Sequence, residues 1–86
     1  MQSEKTVTMH PDFSLHARPA ARFVQLAKSF DAKVTVKKDE RSADARSAIA
    51  LMGLDAGNGA TITICADGAQ AAEAVEALAA LVVEKP

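Results

Sequence analysis

Residues 32–44, Ala32-Lys33-Val34-Thr35-Val36-Lys37-Lys38-Asp39-Glu40-Arg41-Ser42-Ala43-Asp44, carry the alternation from which the fold is read. Val34 and Val36 point one way and Lys33, Thr35 and Lys37 the other, which is the period of a half-buried strand. Asp39-Glu40 reads as a tight turn into a second short strand at 41–44. So short a connection demands antiparallel pairing. Asp-Glu is a weaker hairpin signal than Asn-Gly, because Glu40 resists positive φ.

Upstream of this hairpin the period changes. From Ala17 onward, Ala20, Phe23, Val24, Ala27 and Phe30 fall on one face of a helix. Pro19 belongs in its first turn, where a missing N–H has no intrahelical acceptor to lose. Pro11-Asp12-Phe13-Ser14 reads as a loop, with Phe13 expected to stand in the open, either packing onto a neighbouring helix or meeting a partner. Before it, 5–10 (KTVTMH) alternates as a strand with Val7 and Met9 on one face. Downstream, Ser47 is placed to cap a short helix at 48–54. Gly57-Asn58-Gly59 is a loop. The segment 60–66 (ATITICA) is a strand with Ile62, Ile64 and Ala66 on one face and Thr61, Thr63 and Cys65 on the other. Asp67-Gly68 breaks it, and a last helix at 69–83 presents Ala71, Val75, Leu78 and Val82 as its buried stripe. The order β-α-β-β-α-β-α predicts one α+β domain over residues 1–86, a two-layer sandwich with its helices on one face.

Composition narrows the function. In 86 residues, 49% are hydrophobic, many of them alanine, with no Trp or Tyr, so a thin packing of small residues is expected. Ten Lys and Arg against eleven Asp and Glu give a net charge of -1, unlike a nucleic-acid binder. No apolar run is long enough to span a membrane. The first residues, Met1-Gln2-Ser3-Glu4-Lys5, lack the apolar core of a signal peptide. Cys65 is the single cysteine, which leaves no internal disulfide and fits the cytoplasm. Two histidines and one cysteine at these spacings match no zinc pattern, so no metal or other cofactor is expected.

The segment Leu15-His16-Ala17-Arg18-Pro19-Ala20 carries the chemistry. It puts a histidine where a loop enters a helix, and there free backbone N–H groups and the positive end of the helix dipole favour an anion. Arg18 adds a fork of donors matched to phosphate oxygens. Neutral imidazole has a lone pair to attack phosphorus and is a good leaving group afterwards. On the residues alone, phosphate chemistry stands beside a plainer reading, in which His16 caps the helix or lies on the surface and Arg18 is a solvated charge. His10 reads as a surface residue. No second acid/base pair, metal set or nucleotide loop supports independent catalysis.

Two segments resemble a known family, the HPr phosphocarriers of the phosphoenolpyruvate-dependent phosphotransferase system. Leu15-His16-Ala17-Arg18-Pro19-Ala20 is similar to its active-site signature. Arg46-Ser47-Ala48-Ile49-Ala50-Leu51-Met52-Gly53-Leu54 is similar to its second signature, and the likeness extends from about Lys5 to Val83. The resemblance implies an open-faced sandwich with a four-stranded antiparallel sheet in the order 1-4-2-3. It implies that His16 accepts a phosphoryl group on Nδ1 from enzyme I and passes it to an enzyme IIA domain. Arg18 and the backbone N–H groups of Ala17 and Arg18 would cradle it. Ser47 would be a regulatory phosphorylation site for an HPr kinase/phosphorylase, read in turn by a transcriptional regulator; the plain reading is an N-cap, and the two roles are not exclusive. Ala48, Ile49 and Met52, with Arg22 at the rim, would form the partner surface; core packing is the other reading of Ile49 and solvation that of Arg22. The implied protein is a monomeric carrier and not itself an enzyme. Ser14 stands where the family usually has glycine, so strain in that loop is expected. The segment Phe30-Asp31-Ala32 and the Asp39-Glu40 turn also resemble the family's nitrogen-related branch. A regulatory relative without phosphoryl transfer is a third possibility, disfavoured by His16 and Arg18 together.

Overall fold

A computed structural model describes residues 1–84. The elements are β1 (Gln2–Thr8), α1 (Ala17–Lys28), β2 (Lys33–Lys38), β3 (Arg41–Asp44), α2 (Ala48–Gly53), β4 (Thr61–Asp67) and α3 (Ala71–Val83). The four strands form one antiparallel sheet in the order β1-β4-β2-β3. That is the expected topology, with the three helices over one face.

The alternation sorts as predicted. Val34 and Val36 of β2, Ala43 of β3 and Ile62, Ile64 and Ala66 of β4 are buried beneath the helices. Ala20, Phe23, Val24 and Ala27 of α1 and Ala71, Val75, Leu78 and Val82 of α3 meet them, and α2 adds Leu51 with Leu54 just beyond its end. Alanines fill part of this core between larger Phe, Leu, Ile and Val side chains. The opposite face is polar: Thr6 and Thr63 hydroxyls lie 2.9 Å apart and Thr8 and Thr61 hydroxyls 3.1 Å.

The differences from the sequence reading have local causes. β1 starts at Gln2 rather than Lys5, because its pairing with β4 runs out to Gln2 opposite Asp67. An edge strand held by backbone bonds needs no apolar alternation there. α1 ends at Lys28, where the Ser29 hydroxyl donates to the Leu26 carbonyl at 2.6 Å, so Phe30 lies beyond the helix and is only half-buried. In the hairpin Asp39 takes the positive φ, 54°, and Glu40 does not. α3 starts at Ala71 because 68–70 are used in a tight join. Gly68 has φ +149, and a Cβ there would come within 2.7 Å of the Ala32 Cα and the Asp31 carbonyl. Gln70 exchanges hydrogen bonds with Asp31, its N–H donating at 2.9 Å and its Oε1 accepting at 2.8 Å.

Candidate functional site: the mouth of the first helix

The loop between β1 and α1 is anchored from below. The Phe13 N–H donates to the His10 carbonyl at 2.9 Å, closing a turn. Phe13 is 3% exposed and Leu15 2%, so both are core residues. This corrects the expectation that Phe13 stands in an open loop. Its side chain plugs the core under the segment and offers nothing to a partner. Ser14, between them, is half-buried and its φ is not positive; the non-glycine residues in that region are Asp39 and Asp55. The strain expected at Ser14 is therefore absent.

Anchoring Leu15 inward turns the next residue outward. His16 is exposed at the N-cap of α1, with extended backbone (φ -95, ψ -167). Its carbonyl accepts the Ala20 N–H at 2.7 Å, while its side chain makes no cap hydrogen bond. Pro19 has no N–H to offer, and the backbone N–H groups of Ala17 and Arg18 find no acceptor among the described residues. No acidic residue occupies the first turn to neutralise the helix dipole. Arg18 and, one turn on, Arg22 are exposed and join no ion pair among the described residues. An imidazole, two open N–H groups and unengaged guanidinium charge thus share one helix mouth, a setting suited to a phosphoryl group.

α2 packs against α1 and contributes the second cluster. Ser47 caps it: the hydroxyl accepts the Ala50 N–H at 3.1 Å. Asp44 braces this start, its Oδ1 accepting the Arg46 N–H at 2.9 Å while Arg46 Nη2 reaches Oδ2 at 2.9 Å. The Arg46 side-chain hydrogen bonds, then that backbone N–H, hold the Asp44 carboxyl at about 2 against an ordinary 3.8. Ile49 is 79% exposed and Met52 37%, with Ala48 half-buried beside them. Core packing is therefore not the role of Ile49. His10, expected on the surface, is half-buried, its Nδ1 accepting the Asp12 N–H at 3.0 Å.

Three features escaped the sequence reading. The Leu15 N–H donates to the Ala56 carbonyl at 3.0 Å, tying the loop before His16 to the turn after α2. Asp55 in that turn has φ 54. Lys38 and Arg41 donate to carbonyls at the end of α2. Only the aspartate left a local signal, since Asp tolerates the left-handed region better than most residues.

Comparison with known proteins meets this geometry. The family model described as the PTS HPr component phosphorylation site matches residues 3–84. The chain is 49% identical to the phosphocarrier protein HPr of Vibrio cholerae over 78 residues, 91% of this chain and 92% of that protein. It is 40% identical to the phosphocarrier protein NPr of Shewanella violacea, covering 95% and 90% of the two. The crystal structure of an HPr from Bacillus anthracis superposes with a TM-score of 0.89 at 43% identity, over 94% of this chain and 96% of that one. With the sheet order, the helix mouth and these likenesses in agreement, the chain belongs to the HPr family of phosphocarrier proteins.

Proposed function

We propose that this phosphocarrier receives a phosphoryl group on His16 Nδ1 from phospho-enzyme I and delivers it to an enzyme IIA domain. The observation that carries the reading is the exposed His16 ring at a helix mouth whose first N–H groups are open. In the forward step the Nδ1 lone pair attacks phosphorus, the new N–P bond forms, and the donor's bond to phosphorus breaks, with its electron pair returning to the donor. The Ala17 and Arg18 N–H groups and the Arg18 guanidinium take up charge on the phosphoryl oxygens, where a loose transition state spreads it. Delivery reverses the sequence on the acceptor's nucleophile. Loaded by one enzyme and unloaded by another, it acts in this reading as a carrier between them, in the cytoplasm.

Ala48, Ile49 and Met52, with Arg22, form the partner surface in this reading, and an exposed methionine suits a face that meets several shapes. Phosphorylation of Ser47 by an HPr kinase/phosphorylase would add a dianion at this face, where it would repel acidic partner surfaces and favour a transcriptional regulator instead. The likeness to an NPr supports a second reading, transfer to regulatory acceptors of the nitrogen branch. Rates of transfer to sugar-type and nitrogen-type IIA domains separate the two.

The primary test is labelling. Phosphoenolpyruvate with enzyme I is expected to place an acid-labile, base-stable phosphate on the protein, and His16→Ala to abolish it. A label that survives in the His16 variant refutes the assignment.

A further inference from the structure

A chain of hydrogen bonds runs from the end of β2 to the residue before His16. Lys38 closes β2, and its half-buried side chain donates to the Asp55 carbonyl at 3.0 Å and the Leu54 carbonyl at 3.4 Å. These carbonyls follow the last turn of α2, where backbone oxygens lack intrahelical donors and carry the negative end of the dipole. An ammonium there satisfies them and opposes their charge together. Arg41 adds a bond to the Gly53 carbonyl at 3.3 Å.

The segment so held is not relaxed by itself. Asp55 has φ 54, a conformation that Asp tolerates better than most residues with a Cβ but that still persists best where the surroundings hold it. The next residue, Ala56, is buried, and its carbonyl takes the Leu15 N–H at 3.0 Å. Leu15 is itself buried and covalently joined to His16, so the position of the 54–56 turn sets where the imidazole leaves the core.

We propose that Lys38 is a positioning residue for phosphoryl transfer: by holding the Leu54 and Asp55 carbonyls it fixes the turn that anchors Leu15 and thereby orients His16. The inference rests on His16 being the phosphoryl acceptor. Lys38 touches neither phosphate nor partner in this role, and its effect belongs in the chemical step rather than in docking.

The test uses full-length protein with enzyme I, phosphoenolpyruvate and a IIA domain. Lys38→Met keeps the length of the side chain and removes its donors. It is expected to lower kcat for transfer about tenfold, as small misplacements of a reacting group do, with KM for the carrier changed by less than about twofold. Amide exchange at Leu15 should speed up about tenfold as its anchor loosens. Lys38→Arg should restore most of both, Lys38→Gln should fall between Met and Arg, and Lys37→Met, on the polar face of the same strand, should match the parent. A rise in KM at constant kcat would make Lys38 a docking contact and overturn the proposal. So would unchanged Leu15 exchange, or a loss that Lys38→Arg does not recover. Absence of label on the parent protein would instead remove the acceptor reading itself, and the positioning role with it.

Discussion

At the start of α2, Ser47 accepts the Ala50 N–H at 3.1 Å and so caps its own helix; at the start of α1, His16 holds the same position and its ring caps nothing. The position bonded in α2 is the third of the helix, and in α1 that position is Pro19, which has no N–H. The bond that Ser47 makes is therefore closed to any residue at 16. The N–H groups of Ala17 and Arg18 are left for a visitor, and Arg18 is free of ion pairs among the described residues, whereas Arg46 at the α2 start is held by Asp44. One helix start is satisfied from within; at the other the first N–H groups find no acceptor among the described residues. A phosphoryl group on His16 would meet donors with no protein acceptor to displace among the described residues; one on Ser47 would have to rearrange a cap already made.

The contrast is tested most severely at Arg18. Arg18→Ala is expected to slow transfer from phospho-enzyme I by about 10²-fold, the usual loss on removing one donor from a preorganised oxyanion site. Thermal stability should hardly change, because the side chain is exposed and makes no ion pair among the described residues. Quench-flow with the labelled donor measures the first and calorimetry the second. A full transfer rate in the variant would mean that the helix mouth suffices without the guanidinium.

The next effect falls on stability and runs the other way. Ser47→Ala should cost about 1 kcal/mol, the usual value of a lost N-cap, or a Tm lower by roughly 4–8 °C in a domain of this size. Ser47→Asp keeps an acceptor at the cap and should lose little. His16→Ala removes no cap bond and is expected to stay within about 0.5 kcal/mol of the parent. Equal losses at Ser47 and His16 would erase the distinction between the two helix starts.

The half of this contrast that was legible in the sequence is the half written locally. Ser47 before an apolar run, Pro19 inside a first turn and His16 at the loop-to-helix change are all one-dimensional signals, and each element formed about where its period placed it. Partners distant along the chain left no such trace. Lys38 and Asp55 are 17 residues apart, and nothing in the order of residues pairs Leu15 with Ala56. Phe13 was misread for a related reason. A loop residue is taken to face solvent, yet with Leu15 it forms a short in-and-out alternation that pins the loop. At the start of β1, Gln2 and Glu4 were overlooked because an edge strand can be held by its backbone alone.

The smallest effect concerns the brace beside Ser47. Asp44 binds its proton less readily when folded, at about 2 against 3.8, because Arg46 donates to it from both side chain and backbone. Its contribution to stability is therefore complete above the ordinary carboxyl value and disappears as pH falls from about 3.8 to about 2. Arg46 is exposed and Asp44 half-buried, so solvent screens much of the attraction. Asp44→Asn keeps an oxygen for the Arg46 N–H but loses the charge and, with it, the acceptor for Arg46 Nη2. Urea midpoints of parent and variant should differ slightly at neutral pH, converge across that acid window, and approach one another in high salt. A gap that persists below the window would mean that Asp44 acts through geometry rather than charge. Phosphoryl transfer at neutral pH should be the same in both proteins, since this ion pair braces the helix start that is already closed and takes no part in the one left open.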